Sequence, residues 1–152
     1  MSKLPILLVE DNENDVLFMN LALEQAGVAN PIRVVKDGQE ALAYLGGTGQ
    51  YSDRLKFPLP YLVLLDLKLP YVMGLDVLKW LRQRAEFDST IVVVLTSSAD
   101  PADVETAYRL KTNAYLVKPS GLANLQILTQ ATKDFWLVQN QPAPSLGTNN
   151  PA

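Results

Sequence analysis

The sequence contains no cysteine and no histidine. Without cysteine the chain can form neither disulfides nor thiolate-bound zinc sites. Without histidine it lacks the usual general base, histidine metal ligands and any phosphohistidine of its own. The net charge of −3 disfavours nucleic acid, whose binding usually requires a basic surface. No apolar run is long enough to cross a bilayer, and the first residues include no cleavable apolar segment. We therefore expect a cytoplasmic protein that binds neither membranes nor nucleic acid.

Five short apolar runs predict five strands, at Ile6–Val9, Ile32–Val35, Tyr61–Leu65, Ile91–Leu95 and Ala114–Val117. None alternates cleanly between polar and apolar residues, which is typical of parallel strands covered on both faces. A segment with helical spacing follows each run. These helices are predicted to begin at Asn12 or Asn14, at Gly38, at Leu75, at Pro101 and at Leu122, and the last to reach about Val138.

The β-α order, repeated five times, predicts an α/β fold. Right-handed crossovers give a doubly wound, five-stranded parallel sheet with five helices, and the flavodoxin-like strand order 2-1-3-4-5 is favoured. Residues 1–138 are expected to form one domain. Residues 139–152 are mostly polar and small, so the sequence predicts a disordered tail that is too short for an output domain.

Polar residues end four of the predicted strands. Glu10 and Asp11 follow the first strand, Asp66 the third, Thr96 ends the fourth, and Lys118 follows the fifth. In an open parallel sheet the carboxyl ends of the strands form one edge, where ligands bind. Taken alone, each residue has an ordinary alternative as a turn, a helix cap or a surface side chain. Their combined order on successive strand ends indicates one cleft.

Three carboxylates in one cleft repel one another unless they are protonated or bind a cation. With oxygen ligands only, the cation should be hard, and Mg²⁺ is favoured. A carboxylate beside such a cation can act as a nucleophile toward phosphorus, which gives an aspartyl phosphate. The positive charge of Lys118 and a hydrogen bond from Thr96 would then stabilise the phosphoryl oxygens.

The strand-end motifs resemble those of bacterial two-component receiver domains. They read Leu-Val-Glu10-Asp11-Asn, Leu-Leu-Asp66-Leu-Lys-Leu-Pro70, Val-Leu-Thr96-Ser-Ser and Tyr115-Leu-Val-Lys118-Pro119. The resemblance covers about residues 5–137. It implies that a sensor histidine kinase phosphorylates Asp66. It also implies a phosphoacceptor switch rather than an enzyme, with at most weak self-catalysed phosphorylation and dephosphorylation.

The same resemblance implies a metal site and a switch. Asp11 and Asp66 would ligate Mg²⁺ with the backbone carbonyl of Lys68, Glu10 would hold it mainly through water, and Mn²⁺ could substitute. The switch residues would be Thr96 and Tyr115, with Lys118 as the active-site lysine. They would alter the surface of the fourth helix, fifth strand and fifth helix. The family usually has a cis peptide before the proline that is Pro119 here.

Two positions depart from the family pattern. Met73-Gly74 stands where Asp-Gly is common, which changes the loop but not the site. Ser120 replaces an aromatic residue that often follows the Lys-Pro pair, which bears on the packing that positions Lys118.

Within receivers, the chain is similar to the stand-alone regulators that partner bacterial phytochromes, notably in cyanobacteria. The likeness rests on the long loop 46–60, on the missing output domain and on Phe135-Trp136-Leu137. It implies a bacteriophytochrome-type kinase as partner. Three consecutive large apolar residues cannot all face inward on a helix. At least one of them should therefore be exposed or used in a contact. The resemblance also implies a homodimer with Phe135 and Trp136 in the contact.

Three alternatives remain open. Haloacid-dehalogenase-type phosphatases also use a strand-end Asp, Mg²⁺ and a lysine, but they need a second Asp where this chain has Lys68. An FMN-binding flavodoxin would need small or hydroxyl residues in the first loop, which here is acidic. A pseudo-receiver that only mediates contacts would have lost the Asp, Thr or Lys.

Overall fold

The computed structural model describes residues 3–141, which alternate between strands and helices. The strands are β1 (Ile6–Val9), β2 (Ile32–Val35), β3 (Leu62–Leu65), β4 (Ile91–Thr96) and β5 (Ala114–Val117). The α-helices are α1 (Glu13–Gln25), α2 (Gly38–Gly46), α3 (Gly74–Arg82), α4 (Pro101–Arg109) and α5 (Leu122–Thr132). A π-helical segment, Lys133–Gln139, continues α5, and two short 3₁₀ turns lie at Gly49–Tyr51 and Ala85–Phe87. None of these helices is long and apolar enough to cross a membrane.

The five strands form one parallel sheet with the order β2-β1-β3-β4-β5, which confirms the predicted fold class and strand order. The register aligns the carboxyl ends of the central strands. Val9, the last residue of β1, lies beside Leu65, the last residue of β3. Thr96, which ends β4, lies beside Val117, which ends β5. The residues that follow these strands therefore share one edge of the sheet.

Apolar side chains cover both faces of the sheet. Alternate strand residues face α2, α3 and α4, where the buried helix residues include Tyr44, Leu45, Val77, Leu78 and Leu81. The other strand residues face α1 and α5, where Met19 and Leu23 are buried and Leu125, Leu128 and Trp136 pack against the cluster. Burial on both faces explains why the strands read as continuous apolar runs in the sequence.

Side-chain caps start the helices that border the site. Asn12 caps α1, because its side chain accepts a hydrogen bond from the Asp15 N–H. Asp100 caps α4 in the same way, and Pro101 occupies the first turn. Such caps satisfy amides that have no partner within the helix. Of the two starts that the sequence left open for α1, the structure uses Asn12.

The long loop 46–60 is held by its own side chains. The Arg54 guanidinium donates hydrogen bonds to the carbonyl oxygens of Tyr44, Leu45 and Phe57. Two of these carbonyls lie in the last turn of α2, where backbone acceptors have no partner within the helix. Tyr51 is buried, and its hydroxyl donates to Glu40 at 2.6 Å. The loop thus packs against α2.

The last helix differs from the sequence expectation of one α-helix from Leu122 to about Val138. The α-helix ends at Thr132, and residues 133–139 follow with π-helical hydrogen bonding. In this wider turn the Trp136 carbonyl accepts a hydrogen bond from the Tyr61 hydroxyl at 3.1 Å, so the segment is tied to the sheet. Of the expected tail, residues 142–152 lie outside the described part of the chain.

Candidate functional site

Sheet hydrogen bonds fix the backbone of the acidic residues at the sheet edge. The Glu10 N–H donates to Val35 O at 3.0 Å, and the Asp66 N–H donates to Val9 O at 3.1 Å. Both residues thus continue the hydrogen-bond pattern of the strands that they follow. Glu10 and Asp66 are buried, while Asp11 is exposed. One carboxylate oxygen from each of the three residues lies within 4.8 Å of the others.

Lys118 lies within this group of acids. Its backbone N–H donates to Thr96 O at 2.8 Å, which extends the pairing of β4 with β5. The Lys118 ammonium donates hydrogen bonds to Glu10 and Asp66, the second at 3.0 Å. It also donates to Asp15 in the first turn of α1 at 3.0 Å. The lysine side chain is 19% exposed, so these charges interact with limited screening by solvent.

Burial and charge shift the pKa values of two groups in the site. Burial raises the pKa of Glu10 from 4.5 to about 7, and the nearby Asp66 carboxylate contributes to the rise although the Lys118 hydrogen bond opposes it. Burial alone would lower the pKa of Lys118. Hydrogen bonds to Glu10, Asp15 and Asp66 outweigh that effect and raise the Lys118 pKa above its ordinary value. The lysine is therefore protonated at neutral pH, while Glu10 is poised between its two forms.

Thr96 is fully buried at the end of β4, one strand away from Asp66. Its hydroxyl has no hydrogen-bond partner among residues 3–141. Buried hydroxyls are usually paired, because an unpaired polar group loses its hydration without compensation. The Thr96 hydroxyl therefore has unused hydrogen-bonding capacity at the end of β4.

Tyr115 is partly buried in β5, and its hydroxyl donates to the Ser98 carbonyl oxygen at 2.8 Å. Ser98 belongs to the loop between β4 and α4, and its own hydroxyl donates to Asp103 at 2.6 Å. The ring thus connects β5 to the loop that follows Thr96. No hydrogen bond links Tyr115 to the acidic residues within the described chain.

The backbone after Asp66 turns closely around the carboxylate. The Lys68 N–H faces Asp66 Oδ1 at 3.4 Å, and the Lys68 side chain is exposed. Gly74 starts α3 directly behind this turn, and its N–H donates to Leu67 O at 2.9 Å. A Cβ atom at Gly74 would lie 2.1 Å from the Asp66 carbonyl oxygen, so only glycine fits there. The Met73-Gly74 departure from the family pattern therefore retains the residue that the geometry requires.

Two further expectations, a contact made by Phe135 and Trp136 and a cis bond before Pro119, concern residues outside the acidic group. Phe135 is 56% exposed, and Trp136 is partly buried near Tyr61, which precedes β3 at the end opposite Asp66. The two rings make an edge-to-face contact, with 4.7 Å between their centroids. No peptide bond within residues 3–141 is cis, so the bond before Pro119 is trans. The resemblance had implied a cis bond there.

Sequence reasoning missed Asp15. The residue lies five positions after Glu10 and was expected only to belong to the first helix. It lies two residues after Glu13, in the first turn of the helix that Asn12 caps. This position could have drawn attention to it, because acidic side chains in a first turn point back toward the preceding loop. The sequence offered no sign that it meets Lys118.

The donor set fits a hard divalent cation. The three clustered carboxylates supply oxygen ligands only, and two of them are buried, so their mutual repulsion calls for a counter-charge. Mg²⁺ and Mn²⁺ accept such ligands, with water completing the coordination sphere. Glu10, Asp11 and Asp66 would hold the ion.

The chain matches known proteins over most of its length. Residues 6–130 match the response regulator receiver domain. The response regulator Rcp1 of Synechocystis sp. (strain ATCC 27184 / PCC 6803 / Kazusa) is 36% identical over 132 residues, which cover 87% of this chain and 88% of Rcp1. The crystal structure of Mn²⁺-bound Rcp1 has a TM-score of 0.85 at 34% identity and covers 93% of this chain and 100% of that one.

Two further solved structures extend the likeness. The phosphorylated cyanobacterial phytochrome response regulator RcpA has a TM-score of 0.87 at 33% identity and covers 94% of this chain and 100% of its own. The bacteriophytochrome response regulator RtBRR is 42% identical, with a TM-score of 0.72, and covers 95% of this chain and 86% of its own. The chain therefore belongs to the response regulator receiver domain family and is similar to the response regulators of cyanobacterial and bacterial phytochromes.

Proposed function

We propose that this protein is a response regulator that accepts a phosphoryl group on Asp66 from a sensor histidine kinase, with residues 1–138 as the receiver unit. One observation carries the proposal. Asp66 is buried at the end of β3, its carboxylate lies 3.0 Å from the Lys118 ammonium, and it shares a cluster with two further carboxylates. Such an arrangement suits in-line transfer to a carboxylate beside positive charge.

In the transfer, an oxygen of the Asp66 carboxylate forms a bond to phosphorus while the P–N bond to the kinase histidine breaks. The released imidazole takes up a proton from solvent. Lys118 is close enough to pair with a phosphoryl oxygen, because its ammonium already contacts Asp66. Glu10, Asp11, Asp66 and the Lys68 carbonyl would hold a Mg²⁺ or Mn²⁺ ion, which would neutralise charge on the phosphoryl oxygens.

The unpaired hydroxyl of Thr96 supports a switch. It can donate to a phosphoryl oxygen without breaking an existing hydrogen bond. A shift of Thr96 would move the loop that follows β4, and that loop is tied to Tyr115 through the Ser98 carbonyl. We infer that phosphorylation moves Tyr115 inward and changes the surface formed by α4, β5 and α5. The phosphoryl group can bias this equilibrium only through contacts that differ between the two states.

The acceptor assignment is tested with Asp66→Asn, incubated with acetyl phosphate and Mg²⁺. Wild type should be labelled and the variant should not. Asp76→Asn is a matched control, because Asp76 is an exposed carboxylate in the first turn of α3, just after the same loop. Labelling of D66N at the level of wild type and D76N would exclude Asp66 as the acceptor.

The names of the relatives support a phytochrome-type kinase as the partner. A cytoplasmic location is part of the same proposal. Purified phytochrome-type kinases should transfer phosphate to this protein faster than other sensor kinases of the same organism. Equal rates across the kinases would contradict the assignment.

We also propose a homodimer through the C-terminal helical segment. Phe135, Val138 and Ile127 expose 56%, 58% and 69% of their surfaces, and the Trp136 ring packs against Phe135. Sedimentation should show a smaller mass for Phe135→Ala and for Trp136→Ala than for a dimeric wild type. Leu55→Ala serves as the control, since Leu55 is 98% exposed in the loop 46–60. An unchanged mass for both aromatic variants would exclude this face.

A further inference from the structure

We propose that Asp15 is a positioning residue, which holds the Lys118 ammonium at the phosphoacceptor while a divalent cation takes over the oxygens of Glu10 and Asp66. The inference rests on the proposed function, because it assigns Asp15 a role in that site. It names a residue outside the family motifs that carry the resemblance.

The position of Asp15 is fixed by the start of α1. The Asn12 side chain accepts a hydrogen bond from the Asp15 N–H at 3.0 Å, so the capped first turn holds this backbone in place. From there the Asp15 carboxylate reaches the Lys118 ammonium at 3.0 Å, although 103 residues separate the two along the chain. Both residues line one cavity of about 260 Å³ together with Glu10 and Asp66. Asp15 is therefore part of the site wall.

Lys118 contacts three carboxylates, and Asp15 differs from the other two. Glu10 and Asp66 also belong to the group of acids that can hold a metal ion, whereas Asp15 does not. A divalent cation on that group attracts the same oxygens that now accept from the ammonium, and it repels the ammonium itself. Once the cation is bound, Asp15 would be the carboxylate that still accepts a hydrogen bond from Lys118.

Removal of the Asp15 carboxylate would therefore shift the ammonium toward the other two acids. An ammonium has three donors, and with one charged partner lost its strongest hydrogen bonds are those to Glu10 and Asp66. The lysine would then compete more strongly with the cation. Asp15→Asn keeps the backbone N–H that Asn12 caps, so the variant changes the carboxylate and leaves the helix start in place.

The test is a double-mutant cycle on Mg²⁺ affinity, measured by calorimetry with the full chain. Asp15→Asn should weaken binding about three- to tenfold, since the negative charge that pairs with the ammonium is lost at a side chain that is 42% exposed. Asp15→Glu should recover part of the loss. The matched control is Glu13→Gln, which removes an exposed carboxylate from the same first turn. If Asp15 acts through its contact with Lys118, Glu13→Gln should change the Mg²⁺ affinity less than twofold.

The Lys118→Met background separates positioning from simple charge. If Asp15 acts through the lysine, Asp15→Asn should change Mg²⁺ affinity less than twofold once Lys118 is replaced. An effect of equal size in both backgrounds would overturn the proposal, because Asp15 would then act on the cation directly. Equal effects of D15N and E13Q would overturn it as well.

Acetyl phosphate labelling distinguishes failure of this inference from failure of the proposed function. If wild type is labelled on Asp66 and binds Mg²⁺, but the cycle shows no coupling, only the role of Asp15 is wrong. If wild type neither binds Mg²⁺ nor is labelled, the proposed function falls and the role of Asp15 with it.

Discussion

Replacement of Thr96 by Val should make the protein more stable. Thr96 is fully buried at the end of β4, and its hydroxyl has no hydrogen-bond partner within residues 3–141. Folding therefore removes this hydroxyl from water without compensation. Valine has nearly the same shape, carries no polar atom and is favoured in strands. The substitution should remove a cost without opening a cavity.

The size of the gain follows from the cost of an unpaired buried group. A buried donor or acceptor without a partner costs about 1–3 kcal/mol, so Thr96→Val should raise the free energy of unfolding by about 1–2 kcal/mol. For a chain of this length each kcal/mol corresponds to roughly 2–4 °C in Tm. Urea unfolding of the metal-free protein, followed by far-UV circular dichroism, would measure the change. The slope of the free energy of unfolding against urea concentration should be the same for both proteins.

Thr112 provides the matched control. It is also buried, but its hydroxyl lies 3.1 Å from Val92 O and 3.0 Å from Ala114 O. Thr112→Val deletes this donor and should lower the free energy of unfolding by about 1–2 kcal/mol. The two identical substitutions should thus have opposite signs. A loss of similar size in both variants would refute the argument, since it would mean that the Thr96 hydroxyl is paired in the folded protein.

The same variant separates stability from signalling. Under the proposed function, Thr96→Val should still be labelled on Asp66, because the acceptor and Lys118 are untouched. Phosphorylation should change the surface of α4, β5 and α5 less in this variant than in wild type. The variant lacks the Thr96 hydroxyl, whose hydrogen bond to the phosphoryl group would stabilise the phosphorylated conformation. Higher stability together with a weaker response would fit the general finding that functional sites retain locally unfavourable groups.

Two further predictions concern the same sheet edge. Gly74→Ala should lower the free energy of unfolding by about 2–4 kcal/mol, because the new Cβ would lie 2.1 Å from the Asp66 carbonyl oxygen. Gly46→Ala is the control, since a Cβ there would have its nearest contact at 3.7 Å; it should change the free energy of unfolding by less than about 1 kcal/mol in the same urea assay. The raised pKa of Glu10 favours the folded state only while that carboxyl is protonated. With a chelator present to remove metal ions, the free energy of unfolding of wild type should therefore fall by up to about 3 kcal/mol relative to that of Glu10→Gln as the pH rises from 4.5 to about 7. A flat difference between the two proteins across this range would contradict the burial of a charged Glu10.

The strand order and the acidic cluster could be predicted because both follow from local sequence. All four residues of β1 and of β3 are buried, so each strand reads as an apolar run, and the first polar residue after it marks the sheet edge. Glu10 and Asp66 occupy those positions. The parallel order then brings them together without any knowledge of how the helices pack.

Other features depend on contacts that are distant in the sequence. Asp15 meets Lys118 only because the first turn of α1 and the residue that follows β5 reach the same edge of the sheet, and the spacing within α1 holds no sign of this. The change from α-helix to π-helix at Lys133 is equally hidden. The segment contacts residues that are distant in the sequence, because the Lys133 ammonium donates to the Ala26 carbonyl and the Tyr61 hydroxyl to the Trp136 carbonyl. Local periodicity predicts that such a segment is helical, but not its hydrogen-bond register.

Under the proposed function, the charges around Lys118 would link a metal ion, a proton and a phosphoryl group in this site. Four carboxylates, those of Glu10, Asp11, Asp15 and Asp66, surround a single ammonium, so the fully ionised site carries a net charge of about −3. A proton on Glu10 reduces this excess near pH 7, and a bound divalent cation would reduce it further and displace that proton. Under the proposed function, the phosphoryl group would add negative charge to an already acidic site, and the cation and the Lys118 ammonium would offset that charge. A lysine shared among acids is suited to this order of events, because it stays close to Asp66 while it exchanges one oxygen partner for another.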